Sequence, residues 1–187
     1  MTVHAPAEGI YLRRKSDYLA PTMGAEVGVV IPCKNEEASI AKVVSDFRRA
    51  LPDARIVVVD NASTDATSQR AAEAGAIVTA ETRRGKGFAL VRGFRMGRDC
   101  EFVVMVDGDD TYPAEDVGKL IDALRAGADM AIGTRLNSFD DQAYRAGHNF
   151  GNRLFIGLVR VLFGAKTEDL FSGYRAFSQR FLDHSPL

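Results

Sequence analysis

What most constrains this chain is an alternation. Runs of β-branched residues take turns with segments of helical periodicity from residue 26 to residue 132. Glu26–Pro32 (EVGVVIP) reads as a strand buried on both faces, which its proline is expected to end. Glu36–Ala50 is predicted as a helix, with Ile40, Val43, Val44 and Phe47 on one stripe. Arg55–Asp60 (RIVVVD) is the next strand, and Asp65–Ala74 a helix closed by Gly75. Ala76–Ala80, Phe102–Val106 and Asp129–Ile132 continue the strand series, with helices expected over Lys86–Gly97 and Ala114–Ala126. Such alternation builds an α/β fold, a three-layer α/β/α sandwich around a mostly parallel sheet. Ligands of these sheets gather beyond the carboxyl ends of the strands, so the residues that end each strand come under scrutiny first.

Composition narrows the classes. At 187 residues, 46% hydrophobic and 26% charged, the chain suits one ordinary domain and excludes disorder. Its 24 basic and 25 acidic side chains leave a net charge of −1, which excludes a global footprint for nucleic acid. Cys33 and Cys100 lack CxxC spacing; they read as small buried residues of a reduced, cytoplasmic protein. Residues 1–24 carry no secretory pattern and are expected to form a loose leader, with residues 25–187 as the domain. The most lipid-like stretch, Leu154–Ala165, is too short to cross a bilayer and contains Arg160. No closing element is legible after the motif-like stretch near residue 175, so the domain is expected to be short at its C-terminus.

Three strand ends carry polar clusters. Pro32-Cys33-Lys34-Asn35-Glu36-Glu37 is accounted for by a helix start, with Asn35 as cap and the acidic pair near the positive end of the dipole. Asp60-Asn61-Ala62-Ser63-Thr64-Asp65 supports two readings. Either Ser63 or Thr64 caps the next helix, or Asp60 accepts from a base imide or sugar hydroxyl. Val106-Asp107-Gly108-Asp109-Asp110-Thr111 is the sharpest. In an extended chain Asp107 and Asp109 share a face while Asp110 points away. Carboxylates that close repel unless something positive lies between them, and Mg²⁺ or Mn²⁺ typically takes one or two carboxylates plus phosphate oxygens. A calcium loop fails, because Tyr112 and Gly118 stand where glycine and glutamate are required. Between the clusters, Arg83-Arg84-Gly85-Lys86-Gly87 reads either as a tight turn with a solvated lysine or as a phosphate-approaching loop before a helix.

Taken in order, VVIPCKNEE (29–37), VVVDNASTD (57–65), RRGKGFAL (83–90), VVMVDGDD (103–110), IGTR (132–135) and DLFSGYRAF (169–177) resemble the nucleotide-sugar half of a family 2 glycosyltransferase with the GT-A fold. The likeness is greatest to the polyprenyl-phosphate glycosyltransferases, the group that includes the dolichol-phosphate mannose synthases. It implies that Pro32, Lys34 and Glu36 border the nucleoside, Lys34 standing where family members often have an aromatic residue. It implies that Asp60 holds the base imide, that Lys86 lies near the nucleotide, and that Asp107, Gly108 and Asp109 form the DxD element. Asp107 and Asp109 would hold Mg²⁺ or Mn²⁺, Asp109 most directly, with Thr111 completing the metal shell. Arg135 and Arg175 would meet phosphate, and Asp169 would act as base if the acceptor were a hydroxyl. The activity implied is metal-dependent, inverting transfer from a nucleotide-diphosphate sugar to an acceptor such as a polyprenyl phosphate. Arg145, His148, Arg153 and Arg160, set among apolar residues across 144–164, suit either a core helix or a membrane-surface segment at the cytoplasmic face.

Two rivals stand beside that reading. VVMVDGDDT literally meets the DxDxT signature of haloacid-dehalogenase-type phosphatases, with Asp107 as nucleophile and Asp109 as acid/base. The short C-terminus suits an inactive donor-binding fragment, or a half that needs a partner subunit or membrane protein.

Overall fold

The computed structural model describes residues 25–133 and 172–185. The expectations for residues 1–24, for Arg135 and Asp169, and for the segment 144–164 lie outside these residues. In chain order the described elements are β1 (Val27–Cys33), α1 (Ile40–Ala50), β2 (Arg55–Asp60), α2 (Thr67–Glu73), β3 (Ile77–Ala80), α3 (Lys86–Met96), β4 (Phe102–Met105), a 3₁₀ turn (Ala114–Asp116) leading into α4 (Val117–Arg125), β5 (Met130–Ile132), β6 (Arg175–Ser178) and α5 (Gln179–Asp183).

The strands form one six-stranded sheet in the order β3-β2-β1-β4-β6-β5. β1 pairs in parallel with β2 and β4, and β2 with β3, whereas β6 runs antiparallel between β4 and β5. β1 is buried along its whole length, as a central strand covered on both faces must be. Val29 and Ile31 turn to one face, where they join Ile40, Val44 and Phe47 of α1, Ala71 of α2, and Leu120 and Leu124 of α4. Val30 turns to the other with Val57, Val59 and Ala89 and Phe94 of α3, and Leu182 of α5 belongs to the same cluster. The three layers expected from the alternation are thus present.

Three differences from the sequence reading have local causes. Pro32 does not end β1: it pairs with Val59, and the strand continues to Cys33. The Val30 carbonyl faces β4, accepting from Val106, so Pro32 two residues on faces the same side, past the end of β4, where no donor is required. The helix expected from Glu36 begins only at Ile40, because the Glu36 and Glu37 N–H groups are bound into the neighbouring loop described below. Finally, Arg175–Ser178 forms a strand between β4 and β5, and Ser178 caps α5 by accepting from the Phe181 N–H at 3.2 Å.

Candidate active site

Since β1 to β4 are parallel, their carboxyl ends lie along one edge of the sheet. β5 ends and β6 begins at that edge, Arg175 pairing with both Met105 and Ile132. All three polar clusters therefore meet there, together with the SGYR piece.

The clusters after β1 and β2 are joined to each other. Asn35, at φ 56°, accepts from the Thr64 N–H at 2.9 Å, and its own N–H donates to the Ser63 hydroxyl at 3.0 Å. The Glu36 N–H donates to the Thr67 hydroxyl (2.8 Å) and the Glu37 N–H to Asp65 (3.2 Å). Glu37 in turn accepts from the Ala66 N–H at 3.0 Å, and Asp65 from the Thr67 N–H at 3.0 Å. So Asn35 does not cap α1, nor do Ser63 or Thr64 cap α2. The free N–H groups at the start of α2 are satisfied by carboxylates of Glu37 and Asp65. Asp60 accepts from the Ser63 N–H at 2.9 Å and from the Ser68 hydroxyl. Burial alone would raise its carboxyl, but these hydrogen bonds win and hold it below the usual range.

Asn61 organises the next layer. It is buried; its amide donates to the carbonyls of Glu81 (3.0 Å) and Arg83 (2.7 Å) and accepts from the Gly85 N–H at 2.8 Å. One side chain thereby sets the loop 81–85 and the start of α3. That start carries Lys86, whose ammonium forms an ion pair with Asp107 at the tip of β4.

The β4 tip is not an extended strand. β4 stops at Met105, Asp110 adopts φ 62°, and the chain bends through Asp107–Thr111. The alternation expected for Asp107 and Asp109 therefore does not describe this segment, yet both carboxylates act electrostatically on Glu36 and Cys33. Asp110 does turn aside, pairing with Lys42 of α1 at 2.8 Å. Asp109 is exposed and accepts from the Thr111 N–H at 3.1 Å. Gly108 lies against β1: a Cβ there would stand 2.6 Å from Cys33 Sγ, and its carbonyl accepts from the Ser39 hydroxyl at 2.7 Å.

From the other side the SGYR piece closes on Asp107. A Cβ at Gly173 would fall on the Asp107 carboxylate, so any larger residue there would have to displace that side chain. The Gly173 N–H donates to the Tyr112 hydroxyl at 2.7 Å, and Ser172 donates to the Gly133 carbonyl. Arg175 is half-buried, its Nε donating to the Ser172 carbonyl at 3.1 Å.

The electrostatic result is an accumulation of negative charge. Cys33, a free buried thiol, is pushed far above its usual range by burial and then by Glu36, Asp60, Asp107 and Asp109. Glu36 is raised as well, by burial first and by Asp109 next. Two carboxylates about 6 Å apart repel by roughly 3 kcal/mol at an effective dielectric of 20. A cation relieves that repulsion. Among the described residues no three acidic, cysteine or histidine side chains are set as a cage for a metal ion. The arrangement suits Mg²⁺ or Mn²⁺ in their substrate-completed mode, in which one or two carboxylates hold the ion and phosphate and water fill the other positions. Asp109, exposed beside the paired Asp107, fits that requirement. Pro32 is buried in β1 and Lys34 exposed next to it.

Sequence reasoning overlooked Asn61, Tyr112 and Gly173 as site builders. Asn61 had a signal, an amide at a strand end where loop carbonyls need donors. Gly173 lay within the quoted DLFSGYRAF piece without a role of its own, and Tyr112 had no signal, since the two meet only through the fold. A pit of about 250 Å³ borders the loop 81–85, lined by Glu81, Arg83, Arg92 and Met96, and another of about 270 Å³ lies beside Asp46 and Ala50 of α1.

Known proteins resemble this chain in sequence and in fold. The chain is 44% identical to protein RfbJ of Shigella flexneri over 123 residues, covering 65% of this chain and 95% of that one. It is 31% identical to the polyprenol monophosphomannose synthase of Mycolicibacterium smegmatis over 173 residues, 83% of this chain and 62% of the relative. The crystal structure of Mycobacterium tuberculosis glucosyl-3-phosphoglycerate synthase with Mn²⁺ and uridine-diphosphate-glucose superposes with a TM-score of 0.58 at 26% identity, over 84% of this chain and 57% of that one. The chain thus spans about three fifths of the length of the two mycobacterial proteins. The sheet has the GT-A form of such structures. The profile "Glycosyl transferase family 2" matches residues 28–185. That match settles the choice against the phosphatase signature: the chain belongs to glycosyl transferase family 2.

Proposed function

We propose that this chain supplies the donor site of a metal-dependent, inverting glycosyltransferase that moves a sugar from a nucleotide-diphosphate sugar to a polyprenyl phosphate. The observation that carries the reading is the convergence of Asp60, Asp107 and Asp109 with Lys86 at one sheet edge. Supporting it are a solved relative holding Mn²⁺ with UDP-glucose and a sequence relative named for a polyprenol product. Residues 25–187 would form the donor domain, bounded by a leader over 1–24.

In this reading Asp60 keeps acceptor capacity for a base imide, since an ionised carboxylate offers about four lone-pair sites. Pro32, Lys34 and Glu36 border the nucleoside. Asp107 and Asp109 hold the divalent ion, with Gly108 letting the chain lie close to β1 and Thr111 beside them. When bound, the ion stabilises negative charge on the departing diphosphate. Lys86 and Arg175 add positive charge on the same leaving group. The acceptor oxygen forms its bond to the anomeric carbon as the bond to the diphosphate breaks, and the nucleoside diphosphate leaves with the electron pair. A phosphate acceptor is already ionised, so no proton need be removed. A hydroxyl acceptor would need a base, the role assigned to Asp169, while Arg135 would meet phosphate. A lipid acceptor brings the protein to the cytoplasmic face of a membrane as a peripheral enzyme; no helix among the described residues is long and apolar enough to cross one.

A thermal-shift screen with UDP-, GDP- and dTDP-sugars, with and without Mn²⁺, followed by transfer assays to polyprenyl phosphate, tests the proposal. Stabilisation that requires both nucleotide sugar and metal is expected. Stabilisation by none of the donors would refute it.

A further inference from the structure

We propose that Lys86 is a built-in counter-ion that occupies Asp107 until the donor arrives, so that the site takes up metal and diphosphate together and binds free metal weakly. This deepens the donor-site reading and rests on it.

Three features of the molecule lead there. First, the Lys86 ammonium pairs with Asp107, although the chain could have left this exposed lysine in solvent at the first turn of α3. A cation at a helix N-terminus opposes the dipole, so the pairing is held by the carboxylates and not by its own helix. Second, Asp107 is confined. Gly173 lies so near that a Cβ there would overlap the Asp107 carboxylate, and the Gly173 N–H donates to the Tyr112 hydroxyl at 2.7 Å. The Asp107 side chain is 17% exposed, whereas that of Lys86 is 51% exposed on a flexible stem. Third, Asp109 stands exposed next to it, and Glu36 and Asp60 add further carboxylates close enough to act on the same Cys33 thiol.

Exchange follows from charge. With the site empty, Lys86 offsets part of the carboxylate repulsion, and a metal ion must displace it from Asp107 to gain a second ligand. When a diphosphate enters, it offers Lys86 a better-matched anion and the metal further oxygens. Asp107 then becomes available at no net loss of pairing for the lysine. Metal and diphosphate should therefore bind with positive coupling, and by linkage each strengthens the other by the same factor.

Isothermal titration of the full chain with Mn²⁺ alone, with UDP alone, and with each in the presence of the other tests this. Lys86→Met is the decisive variant, since removal of an exposed side chain spares the core. It is expected to bind free Mn²⁺ about tenfold more tightly and metal-free UDP more weakly, with the Mn²⁺–UDP coupling reduced by about tenfold. Lys86→Arg, which keeps the charge, should restore the wild-type pattern. A merely structural role for Lys86 would weaken all the affinities or none. If Lys86→Met leaves Mn²⁺ affinity unchanged or lowers it, while the wild type binds Mn²⁺ and UDP together, the exchange is wrong and the donor site stands. If the wild type binds neither UDP nor GDP with Mn²⁺, the donor site and the exchange fall together.

Discussion

The loops after β1 and β2 and the loop after β4 stand side by side at one sheet edge, yet they use their carboxylates in opposite ways. In the first pair, Glu37, Asp60 and Asp65 accept from main-chain N–H groups of Ala66, Ser63 and Thr67. In the second, Asp107 and Asp110 are matched by lysines from α3 and α1, and Asp109 is exposed. Hydrogen bonds to charged groups stabilise a fold by about 1.5–3 kcal/mol each, whereas an exposed ion pair contributes about 0–1 kcal/mol. The first region is therefore the more firmly fixed of the two. The second is held by exposed lysines whose charges can change partners, as the proposed donor site requires.

This contrast can be broken most forcefully at Asp109. Asp109→Ala should lower metal-dependent transfer by at least about 10²-fold, while the melting temperature stays within about 1 °C of wild type. Undiminished turnover would remove Asp109 from the site, and a large loss of stability would make it scaffold. The opposite pattern is expected at Asn61. Asn61→Ala leaves the carbonyls of Glu81 and Arg83 and the Gly85 N–H without this partner, at a cost of about 1–2 kcal/mol in urea denaturation. A variant as stable as wild type would show that the loop 81–85 does not depend on this amide.

The smallest effect concerns pH. Arg83 grips the buried Glu81 through side-chain and main-chain N–H groups and holds its carboxyl down at about 2, against an ordinary 4.5. A depressed acid contributes stability that is complete above its unfolded value and is lost as pH falls. The Glu81 contribution should thus disappear between about pH 4.5 and 2. Glu36 has the opposite sign, because its raised carboxyl favours the fold when protonated and opposes it as pH rises. Denaturation of Glu81→Gln across that acid range should give a flatter stability curve than wild type; parallel curves would contradict the assignment.

Much of the fold was legible because its signals are local. RIVVVD marks β2 from Arg55 to Asp60 without error, and the stripe Ile40, Val43, Val44, Phe47 is the buried face of α1. What escaped was set by partners distant in sequence. Glu36 and Glu37 look like a first helical turn, but their N–H groups are taken by Thr67 and Asp65. β6 is four residues long, too short for a period, and its place between β4 and β5 is a property of the sheet. At the site, the strand-end rule and the family resemblance brought Asp60, Lys86, Asp107, Asp109 and Arg175 under consideration. The Gly173–Asp107 approach and the Tyr112 bond that secures it arise only when β4 and β6 lie next to each other.

The central claim is that the β4 tip grips a divalent ion shared with the donor diphosphate. Anomalous scattering at the manganese edge, from crystals grown with Mn²⁺ and a bound sugar nucleotide, addresses it most directly. The account predicts one strong peak about 2 Å from an Asp109 carboxylate oxygen and from diphosphate oxygens, with Lys86 moved from Asp107 to phosphate. A nucleotide seated at this edge with no metal peak, and Lys86 still on Asp107, would contradict it.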